Sequence, residues 1–293
     1  MTGAVAAYDL DGKVALVTGA SRGVGAATAA ALAAAGCRVA CAARSTAAAP
    51  QRTPGTLDET VARIIDAGGD ALAVPTNLAE AAEVDAMVAS AAAHFGRLDI
   101  LVNNAAVTFV GDLDIALSRH DLVMEVNLRA PLIACRAAVP HLRAAGGGRI
   151  LNVSSVAALA PYPGLMSYGI SKIGLERLTV DLARQLRADR IAVNCFRIDL
   201  AVASEGFVAN TPGVDRSTWE PCAVAAEGIE WMLGRGDDYS GRRESMAALR
   251  RREGIMGSRA DVPPDPDAPL PPTVLLDGLS DDTETVFAEP YDD

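Results

Sequence analysis

The chain has 293 residues, 50% of them hydrophobic, and a formal net charge of −11 at pH 7. That length is enough for a full core, and the acidic residues gathered from residue 261 onward argue against nucleic acid and anionic membranes as partners for that end. The five cysteines (Cys37, Cys41, Cys135, Cys195, Cys222) show no CxxC spacing and the three histidines no paired-ligand spacing, so reduced thiols and no metal are expected.

No charged-then-apolar signal opens the sequence. The one uncharged run of near-membrane length, 150–171, holds Asn152, Ser154, Pro161 and Pro163, which makes it strand and loop rather than a span. A cytoplasmic protein follows as the expectation.

Lys13-Val-Ala-Leu-Val-Thr18 reads as a short buried strand and runs into Gly19-Ala-Ser-Arg-Gly23-Val-Gly25, then an alanine-rich helix over 26–35. Strand, glycine turn and helix in that order form a phosphate cradle. Gly19 allows the tight turn, Gly23 the close approach of backbone to a pyrophosphate, and Gly25 the packing of helix on strand.

Further apolar runs at 38–42, 71–75, 100–103, 149–154 and 191–196 alternate with amphipathic segments at 57–67, 80–95, 114–143 and 166–188. Parallel strands need crossovers, and here the crossovers are helices. The order predicts α/β architecture: one doubly wound parallel sheet between two helical layers, a three-layer Rossmann fold in a single domain.

Within the last helical segment, Tyr168 and Lys172 are four residues apart, the spacing that stacks two side chains on one helix face. A phenol titrates near 10, too high for a useful base at neutral pH, and a nearby cation draws it down. The pair therefore reads as proton-transfer machinery.

These residues resemble the short-chain dehydrogenase/reductase family over residues 11–241. The matching pieces are Thr18-Gly-Ala-Ser-Arg-Gly-Val-Gly25, Asn103-Asn-Ala-Ala106, Val126-Asn127-Leu128, Ser154-Ser155 and Tyr168 to Lys172. The long connection 44–56, with Pro54-Gly55-Thr56, is similar to that of the hydroxysteroid-dehydrogenase-like members. The resemblance implies a catalytic set of Asn127, Ser155, Tyr168 and Lys172, acting on an alcohol or carbonyl substrate through NAD(P)(H). Tyr168 would exchange a proton with the substrate oxygen, and Lys172 would lower its pKa and hold the nicotinamide ribose. Ser155, thirteen positions before Tyr168, would share the substrate oxygen, and Asn127 would fix a relay water. The family also implies a homodimer or homotetramer paired through 114–143 and 166–188.

Cofactor contacts carried over in the same way are Thr18, Gly19, Ser21, Arg22, Gly23, Val24, Gly25, Arg44, Asn77, Leu78, Asn104 and Ala105, with Tyr168 and Lys172; Asn103 would also line the cleft. Arg44 stands after the second strand where a carboxylate would select NAD. With Arg22 it favours NADP(H) over NAD(H), because two guanidiniums suit a 2′-phosphate. Two alternatives stay open: a dinucleotide-binding or assembly protein without turnover, and another chemistry on the same fold, such as a dehydratase.

The family pattern breaks after the sixth strand. Asn194-Cys-Phe-Arg-Ile198-Asp199 replaces the usual Asn-x-x-x-Pro-Gly, and Ala203-Ser204 stands near the usual nicotinamide-contacting threonine. Residues 204–220 are expected to form a substrate lid, and 219–231 to begin the helix behind it. Phe207, Val208 and Trp219, with Leu159, Tyr162 and Leu165, suggest an apolar pocket. A last strand is expected at 241–246, with 273–276 as the alternative. Residues 1–260 form the domain in this reading. The tail, 261–293, carries ten acidic residues, seven prolines and no lysine or arginine, so it is extended, or docked through Val274, Leu275, Leu276 and Leu279.

Overall fold

The computed structural model describes residues 7–265. The apolar runs form β1 (Val14–Thr18), β2 (Arg38–Ala43), β3 (Asp70–Pro75), β4 (Ile100–Asn103), β5 (Gly148–Ser155), β6 (Ile191–Ile198) and β7 (Arg243–Ser245). They pair in parallel in the order β3-β2-β1-β4-β5-β6-β7. Alternate residues of each strand feed opposite faces. Ala15 and Val17 of β1 pack with α1 (Gly23–Ala34), α2 (Leu57–Asp66), α8 (Cys222–Leu233) and α9 (Met246–Glu253). Val14 and Leu16 pack with α3 (Ala81–Phe95), α5 (Ala130–Ala144) and α6 (Met166–Leu186) on the other. Burial on both faces is why these strands read as continuous apolar runs. The order reverses between β1 and β4, and the crevice outside the carboxyl ends there is where an open α/β sheet takes its ligands.

Three segments differ from their sequence expectation. The helix expected at 114–143 is divided into α4 (Leu117–Met124), a π-helical turn (Glu125–Arg129) and α5. Pro131, near the start of α5, has no N–H to give the ladder, and the wider turn before it carries Asn127 into the core. The helix behind the expected lid begins at Cys222, after Pro221, rather than at Trp219; Glu220 instead forms a bridge with Val202. The helix α9 was not anticipated. Its N-cap is Ser245, whose hydroxyl accepts from the Ala248 N–H at 3.1 Å.

The last strand lies inside the expected 241–246. The alternative at 273–276 and the docking of Val274, Leu275, Leu276 and Leu279 lie outside the described residues. Just past residue 260 the chain still touches the body: the Val262 N–H donates to the Ser217 carbonyl at 2.8 Å. Among the described residues no helix is long and apolar enough to cross a membrane.

Candidate active site

Strand β5 ends at Ser155, and α6 returns over that end with Tyr168 and Lys172 on its inner face. The Ser155 hydroxyl stands by the Tyr168 phenol and acts on its titration as a hydrogen-bonding neighbour. Lys172 is buried, donates from Nζ to the Val153 carbonyl at 2.8 Å, and lies 5.6 Å from the centre of the Tyr168 ring. Asn127 joins the group from the π turn. Its Nδ2 donates to the Val107 carbonyl at 2.9 Å and to Ser171 Oγ at 3.1 Å, and its Oδ1 accepts from the Val107 N–H at 2.8 Å. Ser171 Oγ in turn donates to the Tyr168 carbonyl at 2.7 Å. Residues from three elements thus converge, with Asn127 joined to Tyr168 through Ser171.

The electrostatics differ from the sequence expectation in one respect. Burial pushes the Tyr168 phenol up, and the opposing influence is the Ser155 hydrogen bond rather than the Lys172 charge. A phenol held protonated is the form that donates to a carbonyl. Burial also pulls Lys172 down to about 8, with Cys195 and Glu176 working against it.

The glycine turn is built for close approach. Gly19 and Gly23 have φ of +69° and +60°, the left-handed region that glycine enters without strain. A Cβ on Gly25 would collide with the Gly19 carbonyl and the Asn104 amide. A Cβ on Gly23 would point across the crevice, 3.3 Å from Ser204 Cβ. The cradle therefore fits a phosphate-bearing cofactor between α1 and the lid.

Several residues carried over as cofactor contacts hold this frame together. Thr18 Oγ1 accepts from the Asn104 and Ala105 N–H groups at 3.0 and 3.1 Å, and Asn104 Nδ2 donates to the Thr18 carbonyl at 2.8 Å. Asn103 is buried, with its amide on Asn152 Oδ1 at 2.9 Å. Asn77 Oδ1 closes a turn onto the Ala79 N–H. Arg22 lays its guanidinium on the long connection, donating to the Pro54 and Gly55 carbonyls at 2.6 and 2.7 Å. Arg44 is exposed beside it, and the two cations repel. Ser21 and Val24 are buried within the turn, and Leu78 packs partly buried at the opposite helical layer.

The residues replacing Pro-Gly are structured. Proline would end the ladder, whereas Ile198 extends β6 to pair with Ser155. Arg197 turns inward onto Glu176 of α6, with Nε on Oε1 at 2.8 Å and Nη2 on Oε2 at 2.7 Å. Asp199 accepts from the Ser245 hydroxyl and, at 3.0 Å, from the Ala247 N–H, so it anchors the start of α9. Ser204 caps the short lid helix α7 (Glu205–Asn210), accepting from the Phe207 N–H at 3.3 Å. Phe207 stacks on Trp219 with centroids 4.6 Å apart. Part of the expected lid therefore packs on itself, while Tyr162 and Phe207 are exposed.

Sequence reasoning missed Glu176 and Arg197. One signal was readable: Glu176 follows Lys172 by the same four residues that separate Lys172 from Tyr168.

Comparison with known proteins agrees with this geometry. The family model "short chain dehydrogenase" matches residues 13–200. The chain belongs to the short-chain dehydrogenase/reductase family. It is 40% identical over 207 residues to a 3-oxoacyl-[acyl-carrier-protein] reductase of Synechocystis, covering 68% of this chain and 76% of that protein. It is 30% identical over 273 residues to hydroxysteroid dehydrogenase-like protein 2 of Xenopus tropicalis, covering 92% of this chain but 64% of the relative. The crystal structure of a short chain dehydrogenase from Burkholderia cenocepacia in complex with NADP superposes with a TM-score of 0.73 at 33% identity, over 81% of this chain and 97% of that one. Oxidoreductase relatives and NADP-complexed neighbours are thus this chain's company.

Proposed function

We propose that this protein is an NADP(H)-dependent oxidoreductase that interconverts an alcohol and a ketone or aldehyde, with Ser155, Tyr168 and Lys172 as its catalytic set and Asn127 in support. The observation that carries the reading is the buried Lys172 ammonium 5.6 Å from the centre of the Tyr168 ring, with the Ser155 hydroxyl as the phenol's polar neighbour. A bound nicotinamide supplies or accepts the hydride. Tyr168, kept protonated by burial, donates to the substrate oxygen in reduction, and in oxidation it receives that proton. Ser155 shares the same oxygen and stabilises the charge that develops on it. Lys172 binds the ribose and takes up the proton deficit left on Tyr168. The Asn127 side chain is spent on Val107 and Ser171, so its part in a relay falls to its backbone carbonyl.

The cofactor preference rests on charge. Arg44 takes the position after β2 where a carboxylate would repel a 2′-phosphate, and Arg22 lies beside it. The Synechocystis relative reduces a carbonyl according to its name, in line with a protonated Tyr168 here. The substrate itself is placed against Leu159, Tyr162, Leu165 and the Phe207 side of the lid, which suits a hydrophobic alcohol or ketone of medium size.

A screen of alcohols and ketones with NADP(H) and NAD(H), followed at the nicotinamide absorbance, tests this. Turnover of at least one hydrophobic pair is expected, with the higher kcat/KM on NADP(H). Cofactor binding without turnover on any substrate would favour a non-catalytic nucleotide-binding protein.

A further inference from the structure

The inner face of α6 carries a polar series at helical spacing. Tyr168, Lys172, Glu176 and Thr179 follow one another at intervals of four, four and three, which lines them up facing β5 and β6. Each meets a different level of the sheet. Tyr168 meets Ser155, Lys172 the Val153 carbonyl, Glu176 the Ser154 hydroxyl at 2.8 Å, and Thr179 the Asn152 amide at 2.9 Å.

Glu176 is the unusual member, because it is a carboxylate with 0% exposure whose partner, Arg197, is equally buried. Its oxygens take both Arg197 bonds and the Ser154 hydroxyl, and Arg243 Nη1 of β7 stands 3.9 Å away. A buried pair of this kind is weak evidence for stability, since desolvation offsets much of the attraction and apolar residues of similar volume often serve as well. Its place in the helix is more telling than its strength. It lies one turn from a buried ammonium, and its partner Arg197 directly precedes the Ile198-Asp199 that depart from the family pattern.

We propose that the Glu176–Arg197 pair is a positioning device for Lys172, fixing the level of α6 on β5 and β6 and setting the field in which the ammonium gains and loses its proton. The functional meaning rests on the oxidoreductase reading above; the geometry does not.

The groups that act on the Lys172 charge are Glu176 from α6 and Cys195 from β6; Tyr168 of α6 lies beside it, and Arg197 of β6 and Arg243 of β7 reach Glu176 and the Cys195 thiol. Burial and the Glu176 charge push the Cys195 thiol far up, so it is neutral while Lys172 titrates. Burial keeps Tyr168 neutral as well. Glu176 is then the counter-charge, and Arg197 and Arg243 hold part of its field. Opposite signs follow. Without Glu176, the ammonium loses its counter-charge and its titration falls. Without Arg197, the carboxylate is left with Lys172 as a competing cation and the titration rises. Removing both charges returns it towards the native value.

The chain has two lysines, Lys13 and Lys172, so protein labelled with ¹³C at lysine Cε gives two NMR signals, assigned with Lys13→Arg. The titration is read on the whole protein without cofactor or substrate. Lys172 is expected to titrate at about 8 in the native protein. Glu176→Gln lowers it by about one pH unit or more, Arg197→Met raises it, and Glu176→Gln/Arg197→Met brings it back. Any two folded variants decide the matter, because the double change must reverse the shift of either single one. An unchanged Lys172 titration in a folded Glu176→Gln protein would reduce the pair to a structural tie and overturn the proposal. Absent turnover with the titration pattern intact would instead fault the oxidoreductase reading and leave the device standing.

Discussion

Strands β5 and β6 each bury an arginine, at opposite ends of the sheet, and the two do different work. Arg149, near the start of β5, is 2% exposed. It donates to the Gly148 and Arg235 carbonyls at 3.0 and 2.9 Å and to Asp237 at 2.9 Å, and its guanidinium lies 3.8 Å from the centre of the Tyr8 ring. Its one charged partner is a rim carboxylate, 38% exposed and shared with Arg190. Arg197, near the end of β6, meets a carboxylate with no access to water. At the amino edge the guanidinium closes the molecule, tying the N-terminal segment and the loop after α8 onto β5. At the carboxyl edge it meets a charge that also reaches Lys172. What separates the two is the burial of the counter-ion: solvent screens Asp237, and nothing screens Glu176.

The largest effect should come at the carboxyl edge. Tyr168→Phe removes only a transferable proton, so turnover is expected to fall by about 10²–10⁴-fold while the Kd for NADPH holds. Full activity in that variant would end the catalytic assignment and the functional half of the comparison with it. Next in size is the charge beside the adenosine end. Arg44→Ala should weaken NADPH binding by about 1.5–3 kcal/mol, the size of a charge-assisted contact, and leave NADH binding nearly unchanged in parallel titrations. Arg22→Ala should weaken both cofactors, because that side chain also secures Pro54 and Gly55; equal loss for both in Arg44→Ala would place the 2′-phosphate elsewhere.

The amino edge should respond in stability alone. Arg149→Met leaves the Gly148 and Arg235 carbonyls without their donor, at about 1–3 kcal/mol of unfolding free energy by denaturant melt. The Lys172 titration and NADPH affinity of the folded variant should match the native protein. If Arg149→Met moved the Lys172 titration as far as Glu176→Gln, the division between the two ends would be false.

The difference between the ends was only partly legible in the sequence. Period and order were enough for the sheet, since doubly covered strands must be apolar runs and glycines with positive φ must punctuate them. Of the four proposed catalytic residues, Tyr168 and Lys172 were readable as a pair because a helix puts them on one face whatever else it touches, whereas Ser155 and Asn127 followed from the family resemblance. Arg149 and Arg197 were not, because each looks like an ordinary strand-end cation until a distant residue supplies its partner: Tyr8 and Asp237 for one, Glu176 for the other. The π turn at Asn127 was hidden for a similar reason, since the pull of Val107 on that side chain is a tertiary contact with no local spacing. The α9 helix begins where Asp199, 46 residues before its N-cap Ser245, accepts that cap's hydroxyl.

The smallest effect on the chemistry, and the last test of how far the carboxyl-edge machinery stands alone, concerns the outer side of the same helix. Ile170 and Ile173 of α6 are 45% and 38% exposed, and Met166, Leu117 of α4 and Leu132 of α5 are also exposed. Single exposed apolar residues are ordinary, but five on three neighbouring helices are the surface a second subunit would cover. Ile170 is two positions from Tyr168, so it faces away from the sheet while its neighbour faces in. In a twofold pairing each such residue counts twice, so Ile170→Asp places two carboxylates in one interface. Light scattering at micromolar concentration should return a dimer or tetramer for the native chain and a lighter species for Ile170→Asp. Turnover per subunit should change least of all the variants, because Lys172 takes its field from Glu176 and Arg197 within its own subunit. A native chain that scatters only as a monomer would remove the pairing. A monomeric Ile170→Asp protein whose Lys172 titration had moved would show instead that the subunit contact, and not the buried pair alone, sets the level of α6 on the sheet.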